Sequence, residues 1–128
     1  MYEVLKRRLK SAERNHVPVS ALKVLLLPDE VKNDQYMSYK SAIVDCAEML
    51  KHTLRPDDTI GRMGLFEFLI ILAPELSAEA STYEKSATSI IYRINYEWKS
   101  SQKIPLRISS VTSYPGDGVQ DLLNRLDG

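Results

Sequence analysis

The chain has 128 residues, 44% of them hydrophobic, with 17 basic and 17 acidic side chains. This length is typical of a single domain with one core. The balanced charge excludes a general electrostatic attraction to nucleic acid or to an anionic membrane surface, so an anionic ligand has to be held by a local group of arginines.

The first half of the chain is predicted to form two helices and two strands. Tyr2–Asn15 has leucines on one stripe and basic residues opposite, which indicates an amphipathic helix. Pro18 marks a break, and Ala21–Leu27 is a short apolar segment typical of a buried strand. Tyr39–Leu54 has apolar residues at helical spacing, and Thr59–Met63 is predicted to be a strand.

The second half begins with the other strand of a hairpin. Phe66–Ala73 is apolar and is joined to the preceding strand by a predicted tight turn at Gly64–Leu65. Tyr83–Trp98 is predicted to be a third helix, Leu106–Ser113 a strand, and Val119–Leu126 a last helix. This order of elements predicts an α/β sandwich in which helices flank a mostly antiparallel central sheet.

The segment from Arg55 to Phe68 resembles the signature hairpin of GGDEF domains, the bacterial fold that makes cyclic di-GMP. Gly64-Leu-Phe-Glu-Phe68 stands where that family has Gly-Gly-(Asp/Glu)-Glu-Phe. Weaker similarities follow in the family's order at residues 12–18, 25–32, 107–118 and 122–127. The resemblance implies a nucleotide cyclase-like fold, with residues 1–128 as one degenerate GGDEF domain of a larger regulatory protein.

The signature departs from the family pattern at the positions that bind metal. Active members hold two metal ions with an aspartate after the first strand and with the acidic third letter of the signature, because magnesium prefers carboxylate oxygens. These positions correspond to Leu27 and Phe66, although Asp29 is an alternative for the first. The resemblance therefore implies that the chain is not an enzyme, with no catalytic residue, no metal ligands and no cofactor. The degenerate signature comprises Gly64, Leu65, Phe66, Glu67 and Phe68.

An Arg-x-x-Asp sequence, from Arg55 to Asp58, precedes the signature where many family members bind cyclic di-GMP as a product inhibitor. Arginine offers a planar fork to the N7 and O6 edge of guanine, and aspartate accepts hydrogen bonds from the N1 and N2 edge. The alternative is a helix terminus followed by an ordinary turn. In the family a second arginine often comes from the helix after the hairpin; the candidate is Arg93, which otherwise is a solvent-facing helix residue.

We therefore predict a cyclic di-GMP receptor. A cytoplasmic location is predicted because one cysteine excludes an internal disulfide and because neither a secretory signal nor a membrane span is visible. The expected partners are adjoining domains or proteins of an exopolysaccharide or motility system, with a homodimer as a further option. The rival functions are a dimerisation or docking module without nucleotide binding, and a GTP-binding regulatory domain. Four tyrosines at helical spacing are predicted to be packing residues: Tyr36, Tyr39, Tyr92 and Tyr96.

Overall fold

A computed structural model describes residues 1–27, 39–75, 79–99 and 104–127 of the chain. Helices and strands follow one another in the predicted order, with boundaries within three residues of those expected from the sequence. The described elements are α1 (Tyr2–Asn15), β1 (Ser20–Leu26), α2 (Tyr39–Thr53), β2 (Thr59–Gly64), β3 (Glu67–Ile71), α3 (Ala80–Lys99), β4 (Leu106–Thr112) and α4 (Val119–Asp127).

The four described strands form one sheet in the order β2-β3-β1-β4. All three neighbouring pairs are antiparallel, which confirms the predicted fold class. The two central strands, β1 and β3, are the most apolar ones and are covered on both faces. A strand covered on both faces does not alternate apolar with polar residues, which explains the apolar composition of β3 after Glu67 and of β1 apart from Ser20 and Lys23.

The sheet separates two hydrophobic clusters because successive side chains of a strand point to opposite faces. On one face Leu22, Val24 and Leu26 of β1 pack with apolar residues of α2 and α3. On the other face Ala21 of β1 and Ile71 of β3 pack with α1 and α4. The molecule therefore has three layers: α1 and α4, the sheet, and α2 and α3.

The β2–β3 turn lies one residue later than predicted. Gly64 pairs with Glu67, so the turn consists of Leu65 and Phe66 rather than Gly64 and Leu65. The register shifts between Arg62 and Gly64, and this irregularity accounts for the extra residue. The Phe66 side chain is partly buried and packs against the cluster of α2 and α3, an apolar contact that holds it in the turn.

Two of the predicted packing residues of α3 are not packed. Tyr92 and Tyr96 are 71% and 68% exposed, so that prediction is wrong. The buried face of α3 is filled instead by Ala87, Ile90 and Ile94, which leaves the tyrosines on the outer side of the helix. Tyr36 and the side chain of Tyr39 lie outside the described residues.

The single cysteine is buried in the core. Cys46 of α2 has no exposed surface, and burial raises the pKa of its thiol to about 12. The thiol is therefore protonated and inert at neutral pH. Among the described helices, none combines the length and the apolar character that a membrane crossing requires.

Candidate functional site

The Arg55–Asp58 sequence forms a tight turn between α2 and β2. The Asp58 amide donates to the Arg55 carbonyl at 3.0 Å, which closes a four-residue turn. Pro56 occupies the second position of the turn, where its fixed φ favours the geometry. The turn thus brings Arg55 and Asp58 side by side.

The Asp58 carboxylate is completely buried, and both of its oxygens are occupied. One oxygen accepts from the Ala73 amide at 2.6 Å and from Nη2 of Arg55 at 3.1 Å. The other accepts from the amide and from Nε of Arg55, at 2.9 and 3.2 Å. A carboxylate offers about four lone-pair sites, and these four bonds fill them. In this arrangement Asp58 positions Arg55 and cannot accept a bond from guanine, contrary to the role expected from the sequence.

The side chain of Arg55 is about one third exposed, and its guanidinium binds a second carboxylate, that of Glu75. Nη1 of Arg55 donates to Glu75 Oε1 at 2.9 Å. Hydrogen bonding to Asp58, together with Glu75, raises the pKa of Arg55, so the side chain is a permanent cation. The pKa of Glu75 is lowered, first by a hydrogen bond from the Ser86 hydroxyl and then by Arg55, so Glu75 is ionised at neutral pH.

Side chains from α1 and α3 complete this cluster, and sequence reasoning missed them. The Tyr83 hydroxyl accepts from the Glu75 amide at 3.0 Å. Arg8 of α1 donates to the Leu72 carbonyl at 2.8 Å, and its electrostatic interactions include Asp58 and Tyr83. Only the tertiary fold brings these residues together, since Arg8 is distant in the sequence and no motif marks Glu75.

Arg93 is exposed on α3, the helix that also carries Ser86. Seven residues separate the two, which in an α-helix is about two turns and roughly 10 Å along the same face. Because the Ser86 hydroxyl bonds Glu75, which in turn bonds Arg55, this face of α3 leads from the Arg55 turn to Arg93. The structure records no direct contact between Arg55 and Arg93.

The signature hairpin lies at the other end of β2 from the Arg55 turn. Six residues of β2, Thr59–Gly64, separate the two turns, a distance of about 20 Å in an extended strand. At the hairpin the Leu26 amide donates to the Phe66 carbonyl at 2.9 Å, so β1 ends beside the signature. Arg62 ties the turn by donating to the Gly64 and Leu65 carbonyls.

Some of the predicted features fall outside the described part of the chain. These are Asp29, the alternative metal ligand, and residues 28–32 of the segment that resembles the family. Among the described residues, no group of three or more His, Cys, Asp or Glu side chains could hold a metal ion. Two cavities of about 440 and 410 Å³ lie around Ser113 and Tyr114, and neither is lined by Arg55, by Asp58 or by the hairpin.

The chain is similar to a curated protein, and no protein-family model matches it. It is 32% identical over 79 residues to MucR of Pseudomonas aeruginosa, a bifunctional diguanylate cyclase/cyclic di-GMP phosphodiesterase. The matched segment is 59% of this chain and 11% of MucR, so the chain spans a small part of that relative.

Solved structures share the fold over 98% of the chain. The active GGEEF domain of a diguanylate cyclase from Vibrio cholerae superposes with a TM-score of 0.81 at 18% identity, over 82% of that chain. The GGDEF domain of DgcB from Caulobacter crescentus, in complex with c-di-GMP, gives 0.74 at 16% identity over 77% of its chain. Diguanylate cyclase SiaD from Pseudomonas aeruginosa, in complex with its activator SiaC, gives 0.78 at 17% identity over 51% of its chain. The fold is therefore that of GGDEF, diguanylate cyclase-like domains.

The prediction that this chain is not an enzyme is wrong, because the solved structures with its fold include diguanylate cyclase domains, one of them described as active. That prediction relied on two side chains, Leu27 and Phe66, at the positions that correspond to the metal ligands. Around them the fold keeps the hairpin, and Glu67 pairs with Leu25 near the end of β1. Missing letters in a signature are therefore not sufficient to exclude chemistry on this scaffold.

Proposed function

We propose that this chain is a GGDEF domain of bacterial cyclic di-GMP signalling and that it acts as a receptor, binding cyclic di-GMP at the Arg55 turn. The observation that carries the proposal is the way Arg55 is held. Asp58 fixes its guanidinium through two hydrogen bonds, and about a third of the side chain remains exposed to solvent. A rigid, permanently charged, planar donor loses little entropy when it binds a purine edge or a phosphate.

The chemistry of the ligand fits this surface. Cyclic di-GMP carries two phosphates and two guanines, and arginine can contact a phosphate, pair with the N7 and O6 edge, or stack on the base. Asp58 contributes by orienting Arg55. Arg93, about two helical turns beyond Ser86 on α3, is placed to meet the second half of a ligand that lies along this face.

Similarity to the solved structures supports the choice of ligand, since DgcB with the same fold is in complex with c-di-GMP. We further propose that binding changes contacts with an adjoining domain, a partner protein or a second copy of the chain, in the cytoplasm. SiaD, another domain of this fold, is in complex with a protein activator.

The test is calorimetric titration of cyclic di-GMP into the wild type and into Arg55→Ala. We expect saturable binding by the wild type and a loss of at least tenfold in affinity for the variant, because about 1.4 kcal/mol corresponds to a factor of ten and a charge-assisted bond contributes that much. Arg93→Ala is expected to weaken binding by a smaller factor.

Arg14→Ala is the matched control, since Arg14 is an exposed arginine in the last turn of α1. Its affinity should equal that of the wild type. Circular dichroism is recorded for every variant. A folded wild type that gives no heat at high ligand concentration would refute the receptor proposal and favour a docking module.

Diguanylate cyclase activity is the second candidate, favoured by the match to a domain described as active. The assay incubates the protein with GTP and magnesium and detects cyclic di-GMP by chromatography. Glu67→Gln is the informative variant, because Glu67 is the carboxylate of the hairpin beside β1. Product that disappears in this variant would establish the activity.

A further inference from the structure

We propose that Glu75 is an intramolecular competitor for Arg55 and sets the affinity of the receptor. The inference rests on the proposed function. It concerns a residue outside the Arg-x-x-Asp sequence, on the segment that follows β3.

The inference rests on the hydrogen bonds that the Arg55 guanidinium donates. A guanidinium has five N–H donors. Nε and one hydrogen of Nη2 are used by Asp58, and one hydrogen of Nη1 is used by Glu75. The two remaining donors are one hydrogen of Nη1 and one of Nη2, so a ligand that binds both nitrogens shares Nη1 with Glu75. A guanine edge or a phosphate that takes both nitrogens therefore competes with Glu75.

The negative charge of Glu75 supports the same conclusion. Asp58 and Glu75 place two negative charges beside Arg55, while the positive charge of Arg8, which donates to the Leu72 carbonyl, interacts with Asp58. An anionic ligand that approaches Arg55 meets the carboxylate of Glu75, which is 18% exposed, whereas Asp58 is completely buried behind the arginine. Removing the charge of Glu75 therefore favours the ligand in two ways, by weakening the bond that Glu75 accepts from Nη1 and by reducing repulsion.

Glu75 is held in its competing position by α3. The Ser86 hydroxyl bonds its carboxylate, and the Tyr83 hydroxyl accepts from its amide. The carboxylate is thus already ordered, and its bond to Arg55 costs little further entropy. Displacement of Glu75 by a ligand would also break the link between the Arg55 turn and α3.

The test is calorimetric titration of cyclic di-GMP into Glu75→Gln, the wild type and Asp57→Asn. Glu75→Gln should bind about two- to fivefold more tightly, the upper part of the range expected for a partly exposed ion pair that is weakened. Asp57→Asn removes an exposed charge from the same turn and should change the affinity by less than about twofold. Ser86→Ala, which releases Glu75 from α3, should act in the same direction as Glu75→Gln with a smaller effect.

The outcomes separate the inference from the proposed function. Wild-type binding with unchanged or weaker binding by Glu75→Gln would overturn the inference alone, and weaker binding would identify Glu75 as a ligand contact. An equal gain in affinity for Asp57→Asn would also overturn the inference, because the effect would then come from the negative charge of the turn in general and not from competition for Arg55. No binding by any folded variant would refute both proposals.

Discussion

At the scale of single residues, the best-defined feature is the buried carboxylate of Asp58. It satisfies two backbone amides, those of Arg55 and Ala73, and two guanidinium nitrogens. An aspartate in an exposed turn would contribute little to stability, whereas one with four bonds and no exposed surface connects α2, β2 and the end of β3. The Arg-x-x-Asp sequence therefore stabilises the fold and is also a candidate binding site.

Asp58→Ala should lower the free energy of unfolding by about 2–4 kcal/mol, because the substitution leaves a buried guanidinium edge and two amides without acceptors. Urea denaturation followed by circular dichroism measures the change. Asp57→Ala, at an exposed position of the same turn, should change stability by less than about 0.5 kcal/mol. Equal losses of stability at the two positions would contradict the stabilising role of Asp58.

At the scale of elements, the connection between β4 and α4 is held by a second ion pair. Arg125 of α4 donates to Asp117 at 2.7 and 3.1 Å, and its guanidinium lies 4.5 Å from the centre of the Tyr114 ring. Asp117 also accepts from the Tyr114 amide. These bonds, with Arg125 as the main cause, hold the pKa of Asp117 below its ordinary value. The polar loop thus acquires a fixed shape from one helix residue.

This pair predicts a pH dependence of stability. Because the pKa of Asp117 is lower in the folded than in the unfolded chain, its contribution is present above the unfolded value of 3.8 and is lost as pH falls through the folded pKa. Asp117→Asn should therefore be less stable than the wild type at pH 7, and the difference should shrink below about pH 4. Urea denaturation at pH 7, 5 and 3 measures it, with Asp45→Asn on α2 as control. A constant difference across this range would exclude the mechanism.

The elements also show which local patterns were sufficient for prediction. The helices and strands follow from apolar spacing, since an amphipathic face such as that of Leu5 and Leu9 in α1 is visible in the sequence. The hairpin turn was misplaced by one residue because the irregularity at Met63 depends on pairing with β3. The tyrosines of α3 were misassigned because helical spacing alone does not tell which face of a helix meets the sheet.

At the scale of the whole molecule, the sheet divides the core into two clusters that share no buried residue. Ile94 of α3 belongs to one cluster and Ile71 of β3 to the other, and neither has any exposed surface. The two turns of interest lie at opposite ends of β2, so the Arg55 surface and the hairpin are coupled only through the strands and the layers between them.

Ile71→Val and Ile94→Val should each cost about 0.5–1.5 kcal/mol, the usual loss for one buried methylene with its cavity. Because the sites face opposite clusters, the double variant should equal the sum within about 0.5 kcal/mol. Denaturant unfolding should remain a single cooperative transition in all three proteins. A coupling energy above this margin would show that the two clusters are not energetically independent. Two transitions would show that they do not unfold as one cooperative unit.

The sequence alone determined the order of the elements, the antiparallel sheet and the Arg55–Asp58 pair, because periodicity, turn residues and a three-residue spacing are local properties of the chain. The tertiary structure decided which groups remain available. It buried Asp58 against Ala73, brought Glu75 and Arg8 to the same cluster, and left Tyr92 and Tyr96 in solvent. These outcomes depend on contacts between residues far apart in sequence, and hydrogen-bond satisfaction at such contacts is settled only when the layers pack together.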